Sequence, residues 1–204
     1  MQKVLKSRKH GGEGFSLVEM LVVVAIIMIV AAMALPSITQ GLRNMQARST
    51  GTQIAGLFEQ ARSQGIQLNA NAGIQVRNYV DAGGRTNFYV DVNGDNNFTA
   101  GLEPMVMLPT GYTVPAAPPA GINLKFPNNL APLVLPPQTE GTVAATRLGF
   151  NARGLPCTGT PCAAMLGNTP GYVTYYSDGV ATGAIAIFKT GKVKVYVWDG
   201  AAYE

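Results

Sequence analysis

The sequence predicts an α+β protein: a long N-terminal helix, membrane-spanning in its first half, packed on an antiparallel β-sheet domain. Three observations lead there. Between Phe15 and Leu35 the only strongly polar side chains are Ser16 and Glu19, and about 20 apolar residues suffice to cross a bilayer core of roughly 30 Å. From Ile38 to Ala61 apolar residues recur at spacings of three and four, the period of a helix with one buried face. After Gly73 the period moves toward two, that of half-buried strands.

The first 14 residues read as a basic leader: Lys3, Lys6, Arg8 and Lys9 precede Gly14, and the apolar run starts at Phe15. Positive flanks stay cytoplasmic, so the bulk of the chain is expected outside. Within the run Glu19 is the anomaly, since an ionised group in such a segment costs on the order of 2.5 to 3.5 kcal/mol even on lenient insertion scales. It is therefore expected to have a partner.

The stretch Gly14-Phe15-Ser16-Leu17-Val18-Glu19-Met20 behind a basic leader resembles the class III leader of the type IV pilin superfamily. The resemblance implies a type IV pilin-like fold, cleavage after Gly14 by prepilin peptidase, and Phe15 as an N-methylated first residue. It also implies assembly through Glu19. Cutting after Gly14 creates an amine at Phe15, and a carboxylate one helical turn on could pair with the amine of a neighbouring subunit when apolar helices pack. The alternative for Glu19 is a solvated or snorkelling position at the membrane surface. An ordinary secretory signal competes with the whole reading, because Ala32-Met33-Ala34 satisfies the small-residue cleavage pattern. Against it stand the glutamate and an apolar run longer than the usual span of about 7 to 15 residues.

Composition excludes several classes. With the leader and membrane segment set aside, 204 residues leave room for one globular domain of ordinary size. The formal charge of +4 falls to +1 once the leader's four basic residues and Glu13 are removed, so the balance does not argue for a nucleic-acid partner. The single histidine, His10, lies in the leader. A cleaved chain would have neither a Ser-His-Asp nor a Cys-His mechanism, nor a His-based zinc site, and two cysteines cannot complete a structural zinc site. No G-x-G-x-x-G or Walker-type phosphate loop is present. No enzyme activity and no cofactor are expected.

The domain plan follows in order: leader 1–14, transmembrane or filament-core helix 15–36, amphipathic helix 37–69, and a β-rich domain 70–204. Pro36 removes a helical hydrogen bond and marks a kink or local break. Gly41, Gly51 and Gly56 weaken the helix by about 1 kcal/mol each relative to alanine. They read either as small residues for close packing or as sites of local melting during assembly. Asn69, Asn71 and Gly73 end the helix.

Ile74 to Val80 and Asn87 to Val92 flank Asp81-Ala82-Gly83-Gly84-Arg85, a hairpin with a longer loop. Further strands are expected at Thr146 to Asn151, Tyr172 to Ser177, Ala184 to Lys189 and Lys192 to Trp198. The last two form a hairpin around a two-residue turn, Thr190-Gly191, with Val193, Val195 and Val197 alternating with Lys192, Lys194, Tyr196 and Trp198. Between Pro104 and Pro137 lie nine of the thirteen prolines, too many for central strands. That segment is expected to be an irregular insertion, with Ile122 to Phe126 as a short edge strand.

The later motifs narrow the resemblance. An Asp-Asn-Gly-Asp-type turn with Gly101 and Glu103, then Leu148-Gly149-Phe150-Asn151 with Gly154, then Ile185-Ala186-Ile187 leading to Gly191-Lys192-Val193-Lys194, are similar to the GspH/FimT group of minor pilins and pseudopilins. The proline-rich segment departs from shorter members of that group. Some members are associated with DNA uptake through a basic Gly-Arg-x-Arg-like segment. Gly191-Lys192-Val193-Lys194 holds the comparable place, which makes Lys189, Lys192 and Lys194 candidate phosphate contacts. Lysine in place of arginine gives up bidentate geometry, and lysines on an exposed edge also guard against aggregation.

Two further constellations complete the list. Oxygen side chains at 91, 93, 95 and 97, with Glu103 beyond, suit a hard cation. The EF-hand pattern fails twice, however, since its glycine and closing glutamate fall out of place, and Asn/Asp/Gly turns are common without metal. No metal site is assigned. Cys157 and Cys162 would face an oxidising compartment, where a disulfide is the expected state, with two buried thiols or reactive-thiol chemistry as alternatives.

The expected function is that of a non-enzymatic prepilin-like subunit: a minor subunit of a type IV pilus or type II secretion pseudopilus in the bacterial inner membrane. It would cross the membrane once, with its C-terminal domain in the periplasm or outside. Its partners would be other pilin or pseudopilin subunits, prepilin peptidase and the inner membrane. A DNA-binding minor pilin of a competence pilus is the alternative.

Overall fold

A computed structural model describes residues 15–70, 73–115, 131–132, 148–158, 162, 164–165 and 170–198. Gly14 and the rest of the leader, Asn71, the strand expected at Ile122 to Phe126 and most of the proline-rich segment lie outside them. The chain divides into two compact units, Met1–Gly41 and Leu42–Glu204.

In the first unit the described residues are helical from Leu17. The Met20 N–H donates to the Ser16 carbonyl at 3.1 Å, which closes the first turn. Pro36 lies inside the helix, which runs Leu17–Gln67 as one element, α1, the single long helix the sequence led to expect. Hydroxyls beside the proline bond back along the helix: Ser37 Oγ donates to Ala34 O at 2.8 Å and Thr39 Oγ1 to Pro36 O at 2.9 Å. Such back-bonding engages carbonyls near the turn whose ladder the proline interrupts.

In the second unit α1 buries Ala47, Thr50, Gly51, Ile54, Leu57, Phe58, Ala61 and Gly65, the spacing of one helical face. Asn69, with φ 48°, ends it: Ala70 N–H donates to Gly65 O and Asn69 N–H to Ile66 O, the two bonds of a Schellman cap.

The buried face packs on two sheets. The first has the strands β1 (Ile74–Val80), β2 (Thr86–Asp91), β3 (Met105–Met107), β5 (Leu148–Phe150), β6 (Pro156–Thr158) and β7 (Ala164–Met165), in the order β3-β2-β1-β5-β6-β7 and antiparallel throughout. The second contains β4 (Ala131–Pro132), β8 (Gly171–Ser177), β9 (Thr182–Phe188) and β10 (Val193–Val197), in the order β10-β9-β8-β4. Its β4–β8 pair is parallel, the others antiparallel. The α+β class expected from the sequence stands: one long helix against antiparallel sheets. The proline-bearing segment supplies β3 and β4, both edge strands, where a missing N–H is tolerated.

One core joins helix and sheets through Ile54, Phe58, Val76, Phe88, Val90, Leu148, Phe150, Tyr176, Ile185, Ile187 and Val197. Tyr176 is its most constrained member. Its hydroxyl donates to the Ala47 carbonyl at 2.9 Å, and its ring fills the space above Gly51 of α1 and Gly183 of β9. The two readings of the helix glycines therefore separate. Gly51 is small because Tyr176 and Val195 occupy its side-chain space, whereas nothing lies within 4 Å of a side chain at Gly41 or Gly56. A methyl on Gly183 would overlap the Tyr176 ring. Gly183→Ala is expected to lower stability by about 1–3 kcal/mol, measured as a shift of the urea midpoint for the full chain in detergent.

The hairpin loops correct one expectation. Gly191 N–H donates to Phe188 O at 2.8 Å and Phe188 N–H to Lys192 O at 2.9 Å, with φ +80° at Gly191. That is a three-residue loop ending in a left-handed glycine, rather than a two-residue turn; the bulge absorbs the extra residue and keeps the strand twist. The alternation along β10 is as expected, with Val193, Val195 and Val197 against the main core. The opposite face is also apolar: Tyr196 joins Val173, Tyr175, Ala184 and Ala186 in a second buried cluster, with Phe188 and Trp198 packed against it.

Candidate functional site

The N-terminal segment is defined by what it leaves uncovered. Every large apolar residue from Phe15 to Leu35 is at least 43% exposed, and the helix is long and apolar enough to cross a membrane. Exposed apolar area costs roughly 25 cal/mol per Å² in water, so this surface requires lipid or other apolar helices against it. Glu19 stands exposed in the first helical turn, and none of the ion pairs among the described residues involves it.

The turn weighed for a cation closes on itself through protein groups. Asp91, Asp95 and Glu103 do converge, one carboxylate oxygen of each lying within 4.8 Å of the others. Arg77, however, brings a guanidinium among them. The antiparallel register sets Gln75 opposite Asp91 and Arg77 opposite Tyr89, so Arg77 and Asp91 are diagonal neighbours on the face turned away from α1. Arg77 Nε lies 2.8 Å from Asp91 Oδ2, both side chains at most 4% exposed. The contact is an ion pair rather than an aligned hydrogen bond. Arg77 Nη2 also donates to Gln75 Oε1 at 2.9 Å and to Asn96 Oδ1.

The other carboxylate oxygens bind backbone. Asp91 Oδ1 accepts from Gly94 N–H at 2.7 Å, and Glu103 accepts from Val92 N–H at 3.0 Å and Thr99 N–H at 2.8 Å. The loop between β2 and β3 is thus folded over the outer face of the first sheet, with Arg77 supplying a positive charge to the buried Asp91. Tyr89, Tyr79 and Phe98 pack beside it at centroid distances of 5.7–6.0 Å. Arg77 could not be assigned this role from sequence, since strand register alone brings it to Asp91.

Burial pushes Tyr89 up from its ordinary value. Burial also raises Glu103 above 4.5, against the lowering effect of the Thr99 and Val92 N–H bonds. A raised folded pKa means that ionised Glu103 opposes folding. Its contribution to stability therefore grows as pH falls from neutral toward about 4.5. Urea midpoints over that range are expected to rise more, or fall less, in the wild type than in Glu103→Gln.

The cysteines form the expected disulfide, Cys157–Cys162, buried at both ends. It lies against Gly73, where a side chain would overlap Cys162 Sγ.

Of the three lysines, Lys192 and Lys194 are exposed on the edge strand and its approach, and Lys194 Nζ stands 4.5 Å from the Tyr196 ring centroid. Lys189 lies in the turn, where its N–H donates to Pro170 O. The structure adds two residues that sequence reading missed. Arg62 of α1 donates to Gly154 O at 3.1 Å beside the Gly191 turn, and Arg153 is exposed on the neighbouring hairpin tip. Helix and hairpin tips lie far apart in sequence, and only the packing of α1 brings them together.

No curated protein and no solved structure matches the chain. Residues 12–35 match the family model described as the prokaryotic N-terminal methylation motif. This motif is characteristic of type IV pilin and pseudopilin leaders, and it implies processing by prepilin peptidase and assembly with other pilin subunits. The N-terminal segment of this chain, a methylation motif running into an apolar helix left exposed in its first half, is similar to the leaders of type IV pilin and pseudopilin precursors.

Proposed function

We propose that the chain is a non-enzymatic minor subunit of a type IV pilus or type II secretion pseudopilus. Prepilin peptidase cuts it after Gly14, Phe15 becomes the N-methylated first residue, and the exposed apolar helix moves from the inner membrane into a filament core. Glu19 then pairs with the terminal amine of a neighbouring subunit. The globular domain stands in the periplasm or outside. The observation that carries this reading is the carboxylate of Glu19, without an ion pair among the described residues, in the first turn of a helix whose first half leaves its apolar surface uncovered. The GspH/FimT assignment is supported by the β1–β2 hairpin, the Asp91–Asn97 turn and the closing β9–β10 hairpin around Gly191. Mass spectrometry of the mature N-terminus tests it: methyl-phenylalanine at Phe15 is expected, and a start near Leu35 rejects it.

The DNA-binding alternative draws on the exposure of Lys192 and Lys194 at the edge of the second sheet, with Lys189 across the turn. It requires salt-sensitive DNA affinity that falls when Lys192 and Lys194 become alanine. Absence of detectable binding by the wild type ends it.

A further inference from the structure

We propose that Asn97 is a site of asparagine-linked glycosylation, receiving an oligosaccharide from a lipid pyrophosphate donor on the outer side of the membrane. Transfer there requires the globular domain to stand outside the cytoplasm, as it does for a filament subunit.

Residues 95–99 read Asp-Asn-Asn-Phe-Thr. Asn97-Phe98-Thr99 is the sequence's single Asn-x-Ser/Thr triplet without an intervening proline, the acceptor pattern for this modification. Asp95, two residues before the acceptor, adds a negative charge that a cationic site on a transferase can engage. Three structural features suit the role. The triplet sits in the loop between β2 and β3, over the face of the first sheet turned away from α1, so a bulky group there leaves the helix packing untouched. Phe98 is the member held by the fold, packed on Tyr79 and Tyr89. The Asn97 bonds are at the surface: its side-chain Nδ2 donates to Asp95 O at 3.3 Å and its N–H to Asp95 Oδ1 at 2.8 Å. Thr99 uses its backbone N–H for Glu103, which leaves the role of its hydroxyl to the transferase.

The chemistry balances with one co-substrate. Nδ2 of Asn97 attacks the anomeric carbon of the lipid-linked oligosaccharide, and a nitrogen–carbon bond forms as the carbon–oxygen bond to pyrophosphate breaks. The lipid pyrophosphate leaves with the electron pair, and the amide proton passes to a base of the transferase.

The test uses the full chain purified from its own cells, with intact mass and electron-transfer fragmentation of the peptide that contains Asn97. The expected result is a sugar mass on Asn97, lost in Thr99→Ala, retained in Thr99→Ser and lowered in Asp95→Ala. An Asn97 peptide found solely unmodified in the wild type overturns the proposal, as does modification that survives Thr99→Ala. The same sample reports the N-terminus. Methylated Phe15 with bare Asn97 removes the glycosylation alone, whereas a start near Leu35 removes the filament reading.

Discussion

Glu19→Ala is expected to abolish incorporation of the chain into filaments while leaving the precursor made, membrane-bound and cut after Gly14. Membrane retention depends on the apolar surface from Phe15 to Leu35, which the substitution makes more apolar still. Cleavage depends on the bond after Gly14, which it does not touch. What disappears is the one fixed negative charge in the segment. Phe15 and Glu19 are four residues apart, about 6 Å along a helix, so the acid of one subunit meets the amine of another only when the two helices are offset by about a turn. The pair would therefore set register as well as attraction. Stranding one charge of a desolvated pair is costly, so the loss in sheared filament should be about a hundredfold or more. Glu19→Gln separates charge from hydrogen bonding, and immunoblots of filament and membrane fractions read the outcome. Undiminished incorporation of the alanine variant would sink the mechanism.

The second large effect concerns the globular domain. Arg77→Met should destabilise it by about 3–5 kcal/mol, because Asp91, only 2% exposed, would keep its carboxylate without a cation. Replacing Asp91 as well, in Arg77→Met with Asp91→Leu, should restore most of the stability: the penalty comes from an unpaired buried charge rather than from a missing attraction. Urea unfolding of the full chain in detergent, followed by the fluorescence of Trp198, the single tryptophan, measures each variant. A single-variant loss below about 1 kcal/mol would mean that the pair behaves as an exposed one.

This network also explains why the loop looks like a cation site in sequence. Spaced Asp and Asn side chains are required equally by a metal and by a loop that must satisfy its own N–H groups over a sheet face. The distinguishing residue, Arg77, lies 14 positions before Asp91 and reaches it only through the β1–β2 register. The buried face of α1 and both main hairpins were legible because their periods of 3.6 and two are local. The short strands β3, β4, β6 and β7 were not, since two or three residues carry no period, and their pairing depends on a neighbour's open edge.

The sequence by itself determined the leader motif, the membrane-length helix with its one acid, the absence of histidine beyond the leader and the α+β class. Those properties reside in contiguous residues, where composition and period act directly. Tertiary structure alone decided that Gly51 exists for Tyr176, that Arg77 answers Asp91 and that two sheets share one helix. Each of these depends on close packing between segments distant in the chain, where a single side chain's volume or charge is fixed by what folding brings against it.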